Sequence, residues 1–467
     1  MKVRIPKEKG KPYSKKLVSK FIRFDKELKG KLVSFPVERL DNQFRGVGKA
    51  LGQPILTDYV LPNETVEVKI ESENEGVLYG RLCNVVTPSP HRTTPLCPYF
   101  YRCGNCNLQF AEYSEQLKWK TDLVRNALAD VLLGCAVEDC VGPYYPYRYR
   151  NKIHLAFSFR KGKIAVGFFE ENSKRVVDIN SCVLHDAWAQ KLIATVKKYI
   201  SKFRIPIYDP QTQTGALRYI TARYLNGNIL VTVVSAQSKI MGLQWLYKEL
   251  KTTFGQAGLW LNVNRTQTSA VYGENFTHVD GLKKCRGSLL GVEFELGVNS
   301  FFQVNEKIAE KAYKKAAEAM GTEIDTVVDA FSGIGLTSLL FAKAGKSVIS
   351  VEISEEAVAE AERLAKQNGL QEKIECLCGD CNEILPDLDL SQEVAVFVDP
   401  PRKGCGNGTL DAIRRMRPKR ILYLSCNPFS LAEDLKDWKE YQPIFVQPYD
   451  MFPQTKHVET LVCLERK

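Results

Sequence analysis

Thr326-Val327-Val328-Asp329-Ala330-Phe331-Ser332-Gly333-Ile334-Gly335, with the largely apolar run Leu336 to Ala344 behind it, decides the fold. Three β-branched residues lead to an acidic one, two glycines make a tight turn, and a segment of helix length follows. That is the strand–turn–helix order of a nucleotide-type site. Glycine there lets the backbone approach a ligand closely. Glu352 ends the next strand, Ser347 to Glu352, about 20 residues on, where an acidic group accepts from ribose hydroxyls. The third glycine of a dinucleotide fingerprint is missing, because Leu336, Thr337 and Ser338 stand in its place. S-adenosylmethionine therefore fits this turn better than a dinucleotide does.

The pattern continues on both sides. Ser354 to Asn368 reads as a helix, with Ser354 as N-cap and Glu355 and Glu356 in the first turn. Glu393 to Val398 and Ile421 to Ser425 read as buried strands, and Pro443–Val446 and Val458–Leu464 as a closing antiparallel pair. Strands alternating with helices imply an α/β fold with a mostly parallel, doubly wound, Rossmann-like sheet from residue 286 to 467. Asp380 and Asp399 fall at further strand ends of that sheet.

The front of the chain has another texture. Residues 24–87 hold short strands; Val66, Val68 and Ile70 alternate with Thr65, Glu67 and Lys69, the period of a half-buried strand. They predict a small antiparallel barrel. Residues 88–285 are mixed α+β: a helix from Glu112 to Leu133, then strands at Lys152–Phe159, Lys163–Phe169, Arg218–Tyr224 and Asn228–Ser235. Residues 1–23 form a basic arm, part of a net charge of +11 over 467 residues. Such an arm favours a polyanion by releasing its counterions, although a solvated tail has the same composition.

No apolar run approaches a membrane span, and the first residues lack the apolar core of a secretory signal. A cytoplasmic protein with no membrane partner is expected. The 14 cysteines then suggest reduced thiols, metal ligation or catalysis, and not a disulfide framework.

Asp399-Pro400-Pro401-Arg402 follows the apolar run Val394 to Val398. Two prolines fix the backbone after the strand and hold Asp399 at its end. A similar acidic or amide residue before two prolines occurs in amino-group methyltransferases. In Leu424-Ser425-Cys426-Asn427-Pro428 a thiol stops a strand and precedes a turn. Buried cysteine is often only a small hydrophobe, as Cys463 inside Thr460 to Leu464 is expected to be. The polar flanks of Cys426 direct it to the rim where open α/β sheets bind ligands, so it is placed for nucleophilic work. Glu459 starts the last strand and reaches the same rim.

Cys97, Cys103 and Cys106 are spaced C-x5-C-x2-C, which lets three thiolates converge from one loop. Without a paired C-x2-C repeat, an iron–sulfur cluster suits them better than structural zinc, provided a fourth ligand is found.

Taken together, Phe301-Phe302-Gln303-Val304-Asn305, Asp329 to Gly335, Glu352, Asp399 to Arg402, Ser425 to Pro428 and His457-Val458-Glu459 resemble the RNA (uracil-5-)-methyltransferases in order and spacing. The resemblance spans nearly the whole chain, since residues 24–87 look like that family's RNA-binding barrel of the TRAM type. It implies that Cys426 adds to C6 of uracil and that Glu459 is the base. It also implies that Gln303, Phe331, Gly333, Glu352, Asp380 and Asp399 hold S-adenosylmethionine, and that Phe301 and Arg150 meet the substrate. Cys182 matches the fourth cysteine of a 4Fe–4S cluster. A front barrel with a cluster resembles the 23S rRNA branch, acting as a monomer with no obligate protein partner, with transfer RNA as the other substrate. Leu336 departs from the asparagine that some members carry after the glycine turn. Two other readings stand beside this one. Methylation of an exocyclic amine would need no covalent adduct, and a non-catalytic iron–sulfur RNA-binding regulator would not bind the methyl donor.

Overall fold

In a computed structural model of the chain, residues 28–132, 134–160, 162–390 and 393–467 are described. The basic arm expected over residues 1–23 lies outside them. The chain divides into two compact units between Arg92 and Thr93.

In the first unit, β1 (Leu32–Pro36), β2 (Arg39–Leu40), β3 (Gly46–Ala50), β4 (Gln53–Thr57), β5 (Thr65–Asn74) and β6 (Val77–Thr87) form one sheet in the order β1-β5-β6-β4-β3-β2. Val66, Val68 and Ile70 point inward, as their alternation requires, onto Val33, Phe35, Ile55 and Leu78. The expectation of purely antiparallel pairing is corrected at one place. β4 pairs with β6 in parallel, Ile55 opposite Leu78, because the β5–β6 hairpin sits between β1 and β4. The buried Glu64 carboxylate accepts from the amides of Leu61 (2.8 Å) and Ser89 (3.1 Å) and from Arg92 Nη2 (2.7 Å), so the charge is fully compensated.

The second unit opens with α1 (Tyr113–Ala127). The helix stops short of the expected Leu133. Leu128 caps it, and the amides of Val131 and Leu132 close turns on the Leu128 carbonyl, in a stretch where Asp130 and Gly134 are poor helix formers. A seven-stranded mixed sheet follows. It contains β7 (Lys152–Arg160), β8 (Lys163–Phe169), β9 (Val176–Asp178), β10 (Leu217–Leu225), β11 (Asn228–Ser235), β12 (Gln256–Val263) and β13 (Asn275–Gly281), in the order β13-β12-β11-β10-β7-β8-β9. Helices α2 (Ala187–Phe203) and α3 (Leu243–Phe254) cover one face, with Trp188, Leu192, Val196, Leu246 and Leu250 packed on Ile153, Leu155, Ile220 and Val231.

A hairpin, β14 (Cys285–Leu289) and β15 (Val292–Leu296), and α4 (Glu306–Ala319) lead to the second large sheet. Its strands are β16 (Thr326–Ala330), β17 (Ser347–Glu352), β18 (Ile374–Cys378), β19 (Val394–Val398), β20 (Arg420–Ser425), β21 (Tyr441–Tyr449) and β22 (Glu459–Arg466), ordered β18-β17-β16-β19-β20-β22-β21. The first five are parallel, and β21 and β22 close the edge antiparallel, as the sequence predicts. Helices α5 (Leu336–Lys343), α6 (Glu355–Gln367), α7 (Cys381–Ile384), α8 (Asn407–Met416) and α9 (Pro428–Leu435) alternate with them. Val327, Phe397, Leu422 and Leu461 form the core, which Leu225 and Leu230 of the central sheet join. Ser354 caps α6, its hydroxyl accepting from the Ala357 amide at 3.3 Å.

Candidate active site

The strand order puts the chain's reactive groups along one edge. β16 and β19 are neighbours, so Asp329 and Asp399 end adjacent strands. β20 lies next to β22, and Ser425 pairs with Thr460, so the next step of the register sets Cys426 beside Glu459. Asn427 then caps α9, its side chain accepting from the Phe429 amide at 3.2 Å, with Pro428 in the first turn. The thiol is therefore fixed between a strand end and a helix start.

A cavity of about 760 Å³ opens at the C-terminal ends of β16 and β17. Phe331, Gly333, Glu352, Asp380 and Asp399 line it, with Phe301 at its lip. Phe331 adopts φ 62°, Gly333 φ 57° and Gly335 φ 74°, so a bulky residue shares the left-handed region with both glycines. Such strain in an aromatic side chain is rare and marks a functional turn. Nothing in the sequence announces it. A Cβ added at Gly333 meets nothing within 4 Å, so the turn leaves a cradle, whereas at Gly335 it would stand 2.8 Å from Ala361 Cβ. The Glu352 carboxylate accepts from the Gly333 amide (2.9 Å) and the Ser354 amide (2.9 Å), which orients it at the cavity wall. Beneath the turn, Asp329 is buried and accepts from Thr337 Oγ1 at 2.7 Å and from Ser338 Oγ. A cradle, an oriented carboxylate and this volume fit S-adenosylmethionine.

Two expected residues lie elsewhere. Gln303 is buried and does not line the cavity; its backbone carbonyl accepts from Asn151 Nδ2 at 3.1 Å, and its side chain hydrogen-bonds Tyr313. Arg150 packs over the Tyr149 ring at 5.9 Å and faces Cys106 and Cys182. Cys426 and Glu459 also stand outside the cavity, beyond Asp399.

Burial dominates the electrostatics here. It raises the Asp399 carboxyl to about 7, with Asp329 adding repulsion, and Asp329 itself to about 6. Burial and then Asp399 push Glu459 up to about 8, against the pull of Arg402. The Cys426 thiol is raised to about 11 by burial and by Glu459, while Arg402 opposes the rise by charge and by a hydrogen bond. Sequence reasoning missed Arg402 in this role; its place three residues after Asp399 was the available signal. The Arg402 backbone carbonyl is held in turn by Asn427 Nδ2 (3.2 Å) and Ser430 Oγ (3.1 Å).

The four sequence-matched thiols gather on the other side of Arg150. Cys103 feels Cys97, Cys106 feels Cys182 and Cys103, and Cys182 feels Cys103 and Cys97. Burial raises all four, Cys106 to about 12 and Cys182 to about 11. Among the described residues no group of three or more His, Cys, Asp or Glu is arranged to hold a metal ion. The donor types alone, four thiols and no carboxylate among them, are those an iron–sulfur cluster takes.

Comparison with known proteins agrees with this geometry. A family model described as tRNA (Uracil-5-)-methyltransferase matches residues 381–467, and a methyltransferase-domain model matches residues 327–400. An uncharacterised RNA methyltransferase of Clostridium tetani is 36% identical over 429 residues, covering 90% of this chain and 93% of that protein. The chain belongs to the RNA (uracil-5-)-methyltransferase family. Another relative in the family, an uncharacterised RNA methyltransferase of Halalkalibacterium halodurans, is 33% identical and covers 94% and 98% of the two chains. The crystal structure of Pyrococcus abyssi tRNA (uracil-54, C5)-methyltransferase with S-adenosyl-L-homocysteine matches with a TM-score of 0.74 at 26% identity. The match covers 92% of this chain and 100% of that one. The Rossmann-like sheet read from the sequence is thus a class I methyltransferase fold.

Proposed function

We propose that this family member methylates C5 of a uridine in structured RNA through a covalent bond between Cys426 and C6 of the base. The single observation that carries this reading is the strand register, which sets the thiol beside the Glu459 carboxyl. C5 of uracil is a poor nucleophile, and addition of sulfur to C6 turns it into the carbon of an enolate. When bound, S-adenosylmethionine supplies an electrophilic methyl group. Phe331, Gly333, Glu352, Asp380 and Asp399 would hold it. Arg402 stabilises the Cys426 thiolate before attack. Glu459 takes the proton from C5 after methyl transfer, and the C6–S bond then breaks to return the thiolate. Phe301, 73% exposed, offers its ring to the extruded base, and Arg150 meets the RNA beside the thiol cluster.

Cys97, Cys103, Cys106 and Cys182 would hold a 4Fe–4S cluster that shapes the RNA-binding region and takes no part in the methyl transfer. Residues 24–87 act as the TRAM-type RNA-binding fold, 88–285 as the cluster region and 286–467 as the methyltransferase region. The front fold together with the thiol set favours 23S rRNA as the substrate. Transfer RNA is the second reading, supported by the substrate named for the Pyrococcus abyssi structure.

RNA containing 5-fluorouracil tests the chemistry, because fluorine at C5 cannot leave as a proton does. A stable protein–RNA adduct that disappears in Cys426→Ala supports C5 transfer; no adduct in the parent sinks it. Iron and sulfide counted after anaerobic purification test the cluster, and one zinc per chain would refute it. Mapping 5-methyluridine in total RNA with and without the protein separates ribosomal from transfer RNA.

A further inference from the structure

The face of the central sheet turned away from α2 and α3 carries a pair of cations that no ion pair joins to a carboxylate among the described residues. Alternation along β7 sends Ile153 and Leu155 into the helix-covered core and Lys152 and His154 to the opposite face. On β10 the same rule sends Ile220 and Ala222 inward, and Thr221 and Arg223 outward. The register then pairs Arg223 directly with Lys152, and Thr221 with His154. Like charges directly opposite across two strands repel.

Their neutralisation is partial: Glu306 acts on Arg223, and no carboxylate acts on Lys152. Among the described residues, neither Lys152 nor Arg223 hydrogen-bonds a carboxylate. Arg223 is 3% exposed, and its Nη2 donates to the Ser300 carbonyl. Its Nε and Nη1 have no hydrogen-bond partner among the described residues. Buried donors are almost always satisfied, so two on one guanidinium call for a ligand. Glu306 is the acid that acts on Arg223; its Oε1 accepts from Asn151 Nδ2 at 3.0 Å, and no ion pair joins it to the guanidinium. The Tyr272 ring lies 5.9 Å from Lys152 Nζ and bonds Thr221 Oγ1 through its hydroxyl at 2.7 Å, which lines the place with a further hydroxyl. Burial and Arg223 lower Lys152 to about 8, and burial with Lys152 and Arg223 lowers His154 to about 4.

The position is as telling as the charge. Arg223 holds Ser300, the residue before the exposed Phe301 at the lip of the cavity. Resting on the reading that the substrate is RNA, we infer that the Lys152–Arg223 row seats a phosphodiester of the RNA strand beside the nucleotide presented to Phe301. Lys152 makes the direct contact, and Arg223 beneath it supplies the field and a donor.

Full-length protein and a fluorescein-labelled oligouridylate test this. Anisotropy gives affinity across a series of chloride concentrations for the parent, Lys152→Gln, Arg223→Gln and Lys191→Gln, the last on the exposed side of α2. Each phosphate contact adds about 0.7 to the slope of log affinity against log salt for a single strand. Lys152→Gln and Arg223→Gln should each flatten the slope by roughly that amount, while Lys191→Gln should leave it unchanged. Calorimetry with S-adenosylmethionine identifies the variants that remain folded, and Lys152→Gln alone suffices if Arg223→Gln does not fold. An unaltered slope in Lys152→Gln overturns the inference. So does protection from thermal unfolding by inorganic phosphate, lost in Lys152→Gln while the oligouridylate slope is kept, which would mean a site for free phosphate. A parent that binds S-adenosylmethionine but no oligouridylate would instead sink the RNA reading itself.

Discussion

Arg402 Nη2 stands 3.1 Å from His457 Nδ1, joining the end of the Asp-Pro-Pro-Arg corner to the residue two before Glu459. Burial and Arg402 lower His457 to about 4, so the ring is neutral and offers a lone pair to the guanidinium. The same guanidinium hydrogen-bonds the Cys426 thiol. Arg402→Gln should therefore make the thiolate harder to form. Adduct formation with 5-fluorouracil RNA should be roughly tenfold slower at neutral pH for each unit by which the thiol rises. His457→Phe should move the rate in the same direction by less, and the pH profile of adduct formation is the measurement.

Glu459, at about 8, is largely protonated at neutral pH and must be ionised to accept the C5 proton. Turnover should rise with pH through about 8 and then level. Stability runs the other way. The folded-state value lies above the ordinary 4.5, so this contribution is complete below that value and is lost as pH rises through 8. Glu459→Gln should thus be inactive yet more stable than the parent by on the order of 5 kcal/mol at about pH 9, with the difference gone near pH 4. Denaturant melts at the two pH values decide it.

The two glycines of the donor turn should fail in different ways. Gly335→Ala places a methyl 2.8 Å from Ala361 Cβ at φ 74° and should destabilise the fold by about 2–3 kcal/mol. Gly333→Ala meets no neighbour, so it should cost only about 1–2 kcal/mol for its left-handed backbone. Its methyl enters the cavity, and S-adenosylmethionine affinity measured by calorimetry should fall more than stability does.

Lys120 on α1 and Asp450 after β21 form a fully buried ion pair at 2.6 Å, with Tyr113 donating to the same carboxylate at 2.8 Å. Lys120→Met leaves a buried charge without its partner and should cost about 3–5 kcal/mol. Combining it with Asp450→Leu should recover much of that loss in thermal melts.

The strand–turn–helix around Gly333 and the strand ends before Asp399 and Cys426 were legible in the sequence because each is a local device. A strand, a turn and the residues that shape it stand side by side in the chain. The antiparallel closing pair was legible as two short apolar runs at the end of the chain, Pro443–Val446 and Val458–Leu464. Other features join segments distant in sequence and leave no periodic trace. Lys120 and Asp450 are 330 residues apart, and the Arg402–His457 contact spans 55. The parallel β4–β6 pairing depends on where a hairpin inserts, and the left-handed Phe331 on what surrounds the turn. The end of α1 at Ala127 was overrun because Leu128 and Leu132 keep a helical spacing after the backbone has left the helix.

Cys426 directly follows β20 and Glu459 opens β22, adjacent strands of one sheet locked by six consecutive pairings from Arg420–Glu465 to Ser425–Thr460. No hinge separates the two strands, so under the proposed chemistry the two groups need no domain movement to meet. The choreography of admitting a bulky polymer and releasing it thus falls to the loops and lip around this fixed frame, and slow turnover would report on their opening and not on assembly of the reacting pair.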